Sequence, residues 1–124
     1  PHVELRRAIH KFYTKELAEI DGLSVQQNPS ADFNSNFWLS TVIIDPKTGK
    51  DPESLRQFML DAGVETRRLW RPMHMQPVFA DAPYYGDTTC ETLFDRGLCL
   101  PSGSGLKEEE LRYVADKIKE FFNK

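Results

Sequence analysis

The residues best equipped for chemistry lie in one loop, Trp70-Arg71-Pro72-Met73-His74-Met75-Gln76-Pro77-Val78-Phe79. An indole, a guanidinium, an imidazole and a carboxamide stand there among apolar neighbours. Pro72 and Pro77 restrict the backbone, so the side chains between them project from a stiff segment that loses little freedom when a ligand arrives. Arg71 suits a bidentate pair with phosphate, Trp70 stacking or apolar contact, and His74 donation of a hydrogen bond to a phosphate or a sugar hydroxyl. Structural roles compete with these. Trp70 and Phe79 would serve equally as core or interface anchors, and composition alone favours a structural place for a lone histidine.

Other chemistry-bearing patterns are weaker or missing. Arg67, Arg68 and Arg71 resemble an anion patch but read better as a solvated face. The tract Leu100-Pro101-Ser102-Gly103-Ser104-Gly105-Leu106 precedes a helix and could hold an anion at its N-terminus, yet the same residues make an ordinary connection. There is no Gly-x-Ser-x-Gly, Walker loop, dinucleotide fingerprint or histidine pair at metal-ligand spacing. Cys90 and Cys99, nine positions apart in apolar runs, read as two buried reduced thiols, and no metal site is expected.

Regular elements must hold this loop. From Val3 to Ile20, Leu5, Ile9, Phe12, Tyr13, Leu17 and Ile20 follow one helical face, and Asp21-Gly22 stops the helix. Leu23 to Gln27 suggests a short strand, and Phe37 to Asp45 a strand buried on both faces. Asp51 offers an N-cap with Pro52 at the first helical position, and Leu55, Phe58, Met59 and Ala62 form a stripe ending at Gly63. Val64 to Trp70 reads as a strand with one wet face. The prolines between Arg71 and Asp87 forbid a long regular element. Thr88-x-x-Glu91 has the form of a capping box opening a short helix that turns Cys90, Leu93 and Phe94 inward, closed by Gly97. A short strand, Leu98 to Leu100, and a last helix with Leu111, Val114, Ala115, Ile118, Phe121 and Phe122 inward complete the chain; Glu108 to Glu110 complement its dipole. This order points to an α+β fold, a small mostly antiparallel sheet of three to four strands with flanking helices.

The 124 residues suffice for one core. The net charge of −3 with scattered basic residues argues against nucleic acid, and no stretch reaches the roughly 20 apolar residues of a membrane span. The chain reads as cytoplasmic. Its start at Pro1, directly into an amphipathic pattern, suggests a piece of something longer.

Several segments, in order, resemble the DegT/DnrJ/EryC1/StrS family of sugar aminotransferases, which are pyridoxal-phosphate enzymes of fold type I. They are the first helix with Tyr13 and Leu17, Asn36-Phe37-Trp38-Leu39-Ser40, Leu60 to Arg67, Trp70 to Pro77, and Arg96-Gly97-Leu98-Cys99-Leu100-Pro101-Ser102-Gly103 before the Glu-rich helix. The tryptophan before Pro-Met-His-x-Gln-Pro looks most like members that aminate a nucleotide-linked 4-keto sugar, as in bacillosamine-type polysaccharide biosynthesis. The resemblance implies that residues 1–124 are a C-terminal small domain of a homodimeric enzyme. Pyridoxal 5'-phosphate and its lysine would belong to an N-terminal domain absent from this chain, and glutamate would be the amino donor. It implies substrate-side roles for His74, Trp70 and Arg71, with no catalytic or cofactor-binding residue in the chain and no activity for the piece alone. None of the eight lysines reads as a Schiff-base former, because all fall in expected surface helices or turns. Lys107 stands where many relatives have threonine, so a side-chain cap on the last helix is expected to be missing. The alternative is a stand-alone small-molecule-binding or regulatory α+β module.

Overall fold

The computed structural model describes residues 1–124. Its elements run α1 (His2–Glu16), β1 (Leu23–Val25), β2 (Ser40–Ile44), α2 (Pro52–Asp61), β3 (Arg67–Arg68), α3 (Thr89–Arg96), β4 (Gly97–Leu100) and α4 (Glu108–Asn123). The four strands form one antiparallel sheet in the order β1-β2-β4-β3, as the α+β reading anticipates. No helix is long and apolar enough to cross a membrane.

Helices α1, α2 and α4 bury their apolar stripes against one face of the sheet. Ile9, Tyr13 and Leu17 meet Val42 and Ile44 of β2, Leu55 and Met59 of α2, Leu98 and Leu100 of β4, and Leu111, Val114, Ala115 and Ile118 of α4 in one cluster. Strand alternation sends Cys99, between Leu98 and Leu100, to the other face. Ile43 also turns that way, sharing a cleft with Thr92 and Arg96 of α3. The sheet is thus covered fully on one side and in part on the other, and β2 is buried on one face and half-buried on the opposite one.

Local chemistry fixes the ends of α2. The Asp51 carboxylate accepts from the N–H groups of Glu53 (2.9 Å) and Ser54 (3.0 Å), and those backbone bonds, Ser54 first, hold its pKa below the usual carboxylate range. At the other end Gly63 takes φ +78°, letting Gly63 N–H reach Leu60 O and Val64 N–H reach Met59 O, a Schellman closure. On α4 the lysine side chain does not cap, as expected. Instead Glu110 Oε2 accepts from Lys107 N–H at 2.7 Å and ties down the first turn.

Four expectations are corrected. Helix α1 ends at Glu16 rather than Ile20, and Leu5 on its first turn is exposed. The strand expected from Phe37 begins only at Ser40, because Phe37 takes φ +46°, a left-handed conformation that breaks the pleat. The expected strand from Val64 to Trp70 pairs only through Arg67 and Arg68, since it is a sheet edge with β4 on one side alone. The Thr88–Glu91 capping box does not form. Asp87 Oδ1 takes the Thr89 N–H (2.9 Å) instead, and α3 buries no residue fully: Leu93 is exposed and Cys90 only half-buried.

Candidate functional site

Three segments distant in sequence meet at the open edge of the sheet. Trp38 and Leu39 before β2, Glu65 to Trp70 around β3, and Cys99 to Ser102 at the end of β4 line a groove of about 510 Å³. Its walls are two indoles, Trp38 and Trp70, 58% and 65% exposed. Their rings stand 5.9 Å apart, tilted by 37°. The left-handed Phe37 makes this possible. Its ring turns in to stack on His10 (3.6 Å, 8°), while Trp38 leaves on the outer side and its carbonyl accepts from Arg6 Nη1.

The groove floor is polar as well as apolar. Ser102 Oγ accepts from Ser40 N–H and donates to Leu100 O, each at 2.8 Å, which locks the chain after β4 against the start of β2. Thr66 also lines the groove, and its hydroxyl is sealed with no partner. On the rim Arg67 is held by Glu65 at 2.8 Å, an exposed pair of little energetic weight. Arg68 leaves this rim to donate to Phe94 O (2.7 Å) and Asp95 O (3.3 Å), satisfying carbonyls in the last turn of α3. The patch reading for the arginines therefore dissolves into separate duties.

His74 lies on a second constellation, outside that groove. A 3₁₀ turn at Met73–Met75, with Gln76 Nε2 donating back to Arg71 O (3.1 Å), folds the loop onto α3. There His74 Nε2 donates to Glu91 Oε1 at 2.8 Å, and the Tyr84 ring stacks on the imidazole at 3.9 Å. The Tyr84 hydroxyl donates to Asp87 O (2.6 Å) and sits 3.3 Å from Cys90 Sγ. That thiol contact, with some burial and nearby negative charge, pushes the phenol up to about 12. Arg71 points its guanidinium to within 5.7 Å of the Phe94 ring. The three residues picked out from the sequence are therefore divided. Trp70 walls the groove, while Arg71 and His74 contact α3.

Trp38, Ser102, Tyr84 and Glu91 complete these two places, and the sequence offers little sign of them. Trp38 sits in what reads as a buried strand, and Glu91 in what reads as a helix cap.

The lysines are exposed or half-buried. Lys11, Lys15, Lys47, Lys107 and Lys124 are exposed, and Lys50 is half-buried over the Phe121 ring. Lys119 pairs with Glu16 at 2.9 Å. Lys117 pairs with Glu120 at 2.7 Å, and that hydrogen bond raises its pKa, away from the neutral amine a nucleophile needs.

The model of the DegT/DnrJ/EryC1/StrS aminotransferase family matches residues 2–119. The chain belongs to this family. EpsN of Bacillus subtilis (strain 168), whose name is that of a pyridoxal phosphate-dependent aminotransferase, is 38% identical over 98% of this chain and 31% of its own length. The GDP-perosamine synthase of Escherichia coli O157:H7 is 28% identical over 98% of this chain and 32% of its own. Among solved structures, DesI, crystallised in the presence of its TDP-sugar product, superposes with a TM-score of 0.86 at 25% identity, over 98% of this chain and 31% of DesI. The sugar aminotransferase CalS13 from Micromonospora echinospora superposes at 0.80 with 27% identity, over 95% and 30% of the two chains. This family member thus spans about a third of the length of the relatives it matches.

Proposed function

We propose that residues 1–124 are the C-terminal small domain of a pyridoxal-phosphate-dependent sugar aminotransferase, forming one wall of its cleft. The parent enzyme moves an amino group from glutamate to the ketone of a nucleotide-linked 4-keto sugar. When bound, pyridoxal phosphate supplies the electron sink for that transfer. Its lysine lies outside this chain, and the chain alone is inactive. The observation that carries the reading is the pair of exposed indoles, Trp38 and Trp70, lining an open groove in a chain whose residues 2–119 match the aminotransferase family.

In this reading the chain binds and orients the substrate. Trp70 and Trp38 offer apolar faces to a sugar ring, and exclude water there. His74, Arg71 and the stiff loop between the prolines stand on the substrate side. Relatives named for GDP-perosamine and for a TDP-sugar support a nucleotide-linked sugar as the substrate class.

The test is amination of a panel of nucleotide 4-keto sugars by the parent enzyme, with glutamate as donor. Trp70→Ala and His74→Ala should each raise KM for the sugar by about fivefold to thirtyfold, as expected for one contact worth about 1–2 kcal/mol. Unchanged kinetics in both variants would remove this chain from the cleft.

A further inference from the structure

The hydrogen bond between α3 and the loop fixes more than the position of His74. We infer that Glu91 is a positioning residue that sets the tautomer of His74, so that the imidazole offers Nδ1 as an acceptor to a hydroxyl of the substrate rather than donating to its phosphates. This rests on the proposed place of the chain as a cleft wall.

An ionised carboxylate accepts hydrogen bonds and donates none. With Glu91 Oε1 at 2.8 Å, the hydrogen must therefore sit on His74 Nε2. In the neutral ring Nδ1 then carries the lone pair, and the bond made by one nitrogen decides what the other can do. Nδ1 has no protein partner, and it is not among the polar atoms that are both sealed and unpaired. It is the one nitrogen of this ring left for a ligand.

The rest of the ring is already occupied. Tyr84 lies against one of its faces at 3.9 Å, and the imidazole side chain is 19% exposed. Tyr84 is in turn held by its hydroxyl on Asp87 O, and turning Nε2 outward would break the Glu91 bond. An approaching group meets the Nδ1 edge. A lone pair there attracts an O–H and repels a phosphate oxygen, which makes a sugar hydroxyl the matching partner.

The first experiment reads the tautomer without any activity. In the ¹⁵N-histidine-labelled chain, at a pH where His74 is neutral, the ring should show a pyrrole-type Nε2 and a pyridine-type Nδ1. Its Nε2–H should exchange slowly with water. Glu91→Gln, whose amide oxygen can still accept, should keep that slow proton, and Glu91→Ala should lose it while remaining folded by circular dichroism. A pyridine-type Nε2 in the unsubstituted chain, or a slow proton surviving in Glu91→Ala, would overturn the assignment.

The second experiment uses the parent enzyme. His74→Ala and Glu91→Ala should each raise KM for the nucleotide sugar by about fivefold to thirtyfold. The double variant should be no worse than His74→Ala alone, because Glu91 acts through His74. Inhibition by the free nucleoside diphosphate should be unchanged. Additive losses, or weaker nucleoside diphosphate binding in His74→Ala, would count against the hydroxyl assignment. A parent enzyme without any amination activity would instead sink the cleft-wall reading, and the nuclear magnetic resonance result would still decide the role of Glu91.

Discussion

Ser102, which lines the groove, and Ser40, whose N–H it holds, should respond differently to the same truncation. Ser102 Oγ is the acceptor for the Ser40 N–H and a donor to Leu100 O, both at 2.8 Å, and Ser102 is 5% exposed. Ser102→Ala strips both bonds and leaves a donor buried on a residue with 0% exposure. An unsatisfied buried polar group costs about 1–3 kcal/mol, so a loss of about 2 kcal/mol is expected. The Ser40 hydroxyl is itself sealed without a partner, so Ser40→Ala removes a group that already carries that penalty. Its effect should lie between no change and about 1 kcal/mol of added stability. Urea unfolding followed by circular dichroism separates the two. With a slope of about 2 kcal/mol per molar urea, the Ser102→Ala midpoint falls by about 1 M while that of Ser40→Ala holds or rises. Equal losses in both variants would refute the hydrogen-bond assignment, since simple loss of packing volume acts alike on both sites.

Two further outcomes follow from buried groups elsewhere. Burial of His10 lowers its pKa from the ordinary 6.5, against a weaker opposing bond from Gln27, so the unfolded chain takes up this proton more readily than the folded one. Stability should therefore fall as pH drops below about 6.5, and the urea midpoint of His10→Gln should vary less between pH 7.5 and 5; an equal dependence in both would contradict this. A Cβ at Gly97 would stand 2.5 Å from Leu93 O and 2.1 Å from Leu69 Cδ1, so Gly97→Ala should cost about 1–3 kcal/mol, read as a lower thermal midpoint.

The helices that carry the core were legible because their signals are local. Leu55 and Met59 lie four apart between an Asp-Pro start and a Gly end, and the structure uses each of those features. The last helix repeats the pattern from Leu111 to Ile118. The sheet was legible in kind but not in extent. Trp38 and Leu39 look like strand residues, and only the left-handed Phe37 one place earlier removes them from β2. No propensity rule anticipates that turn at a phenylalanine, because it depends on the ring finding His10 in α1.

The candidate site shows the same division. His74 and Trp70 stood out because their neighbours are prolines and apolar residues within one short stretch. Their partners did not. Trp38 reaches Trp70 across the sheet edge, and Glu91 reaches His74 from a helix whose start looked like a capping box. Glu91 turns its carboxylate to the imidazole rather than back to the Thr88 backbone. A contact between residues 17 or more positions apart leaves no periodic trace in the sequence.

The central claim, that this chain shapes a pyridoxal-phosphate cleft without supplying its lysine, meets its most direct test in borohydride trapping. The parent enzyme is incubated with pyridoxal phosphate, reduced, digested and mapped by mass spectrometry, with the 124-residue chain treated in parallel. One pyridoxylated lysine is expected in the parent, outside residues 1–124, and no site-specific adduct in the chain alone. A single stoichiometric adduct on any of Lys11, Lys15, Lys47, Lys50, Lys107, Lys117, Lys119 or Lys124 would contradict it.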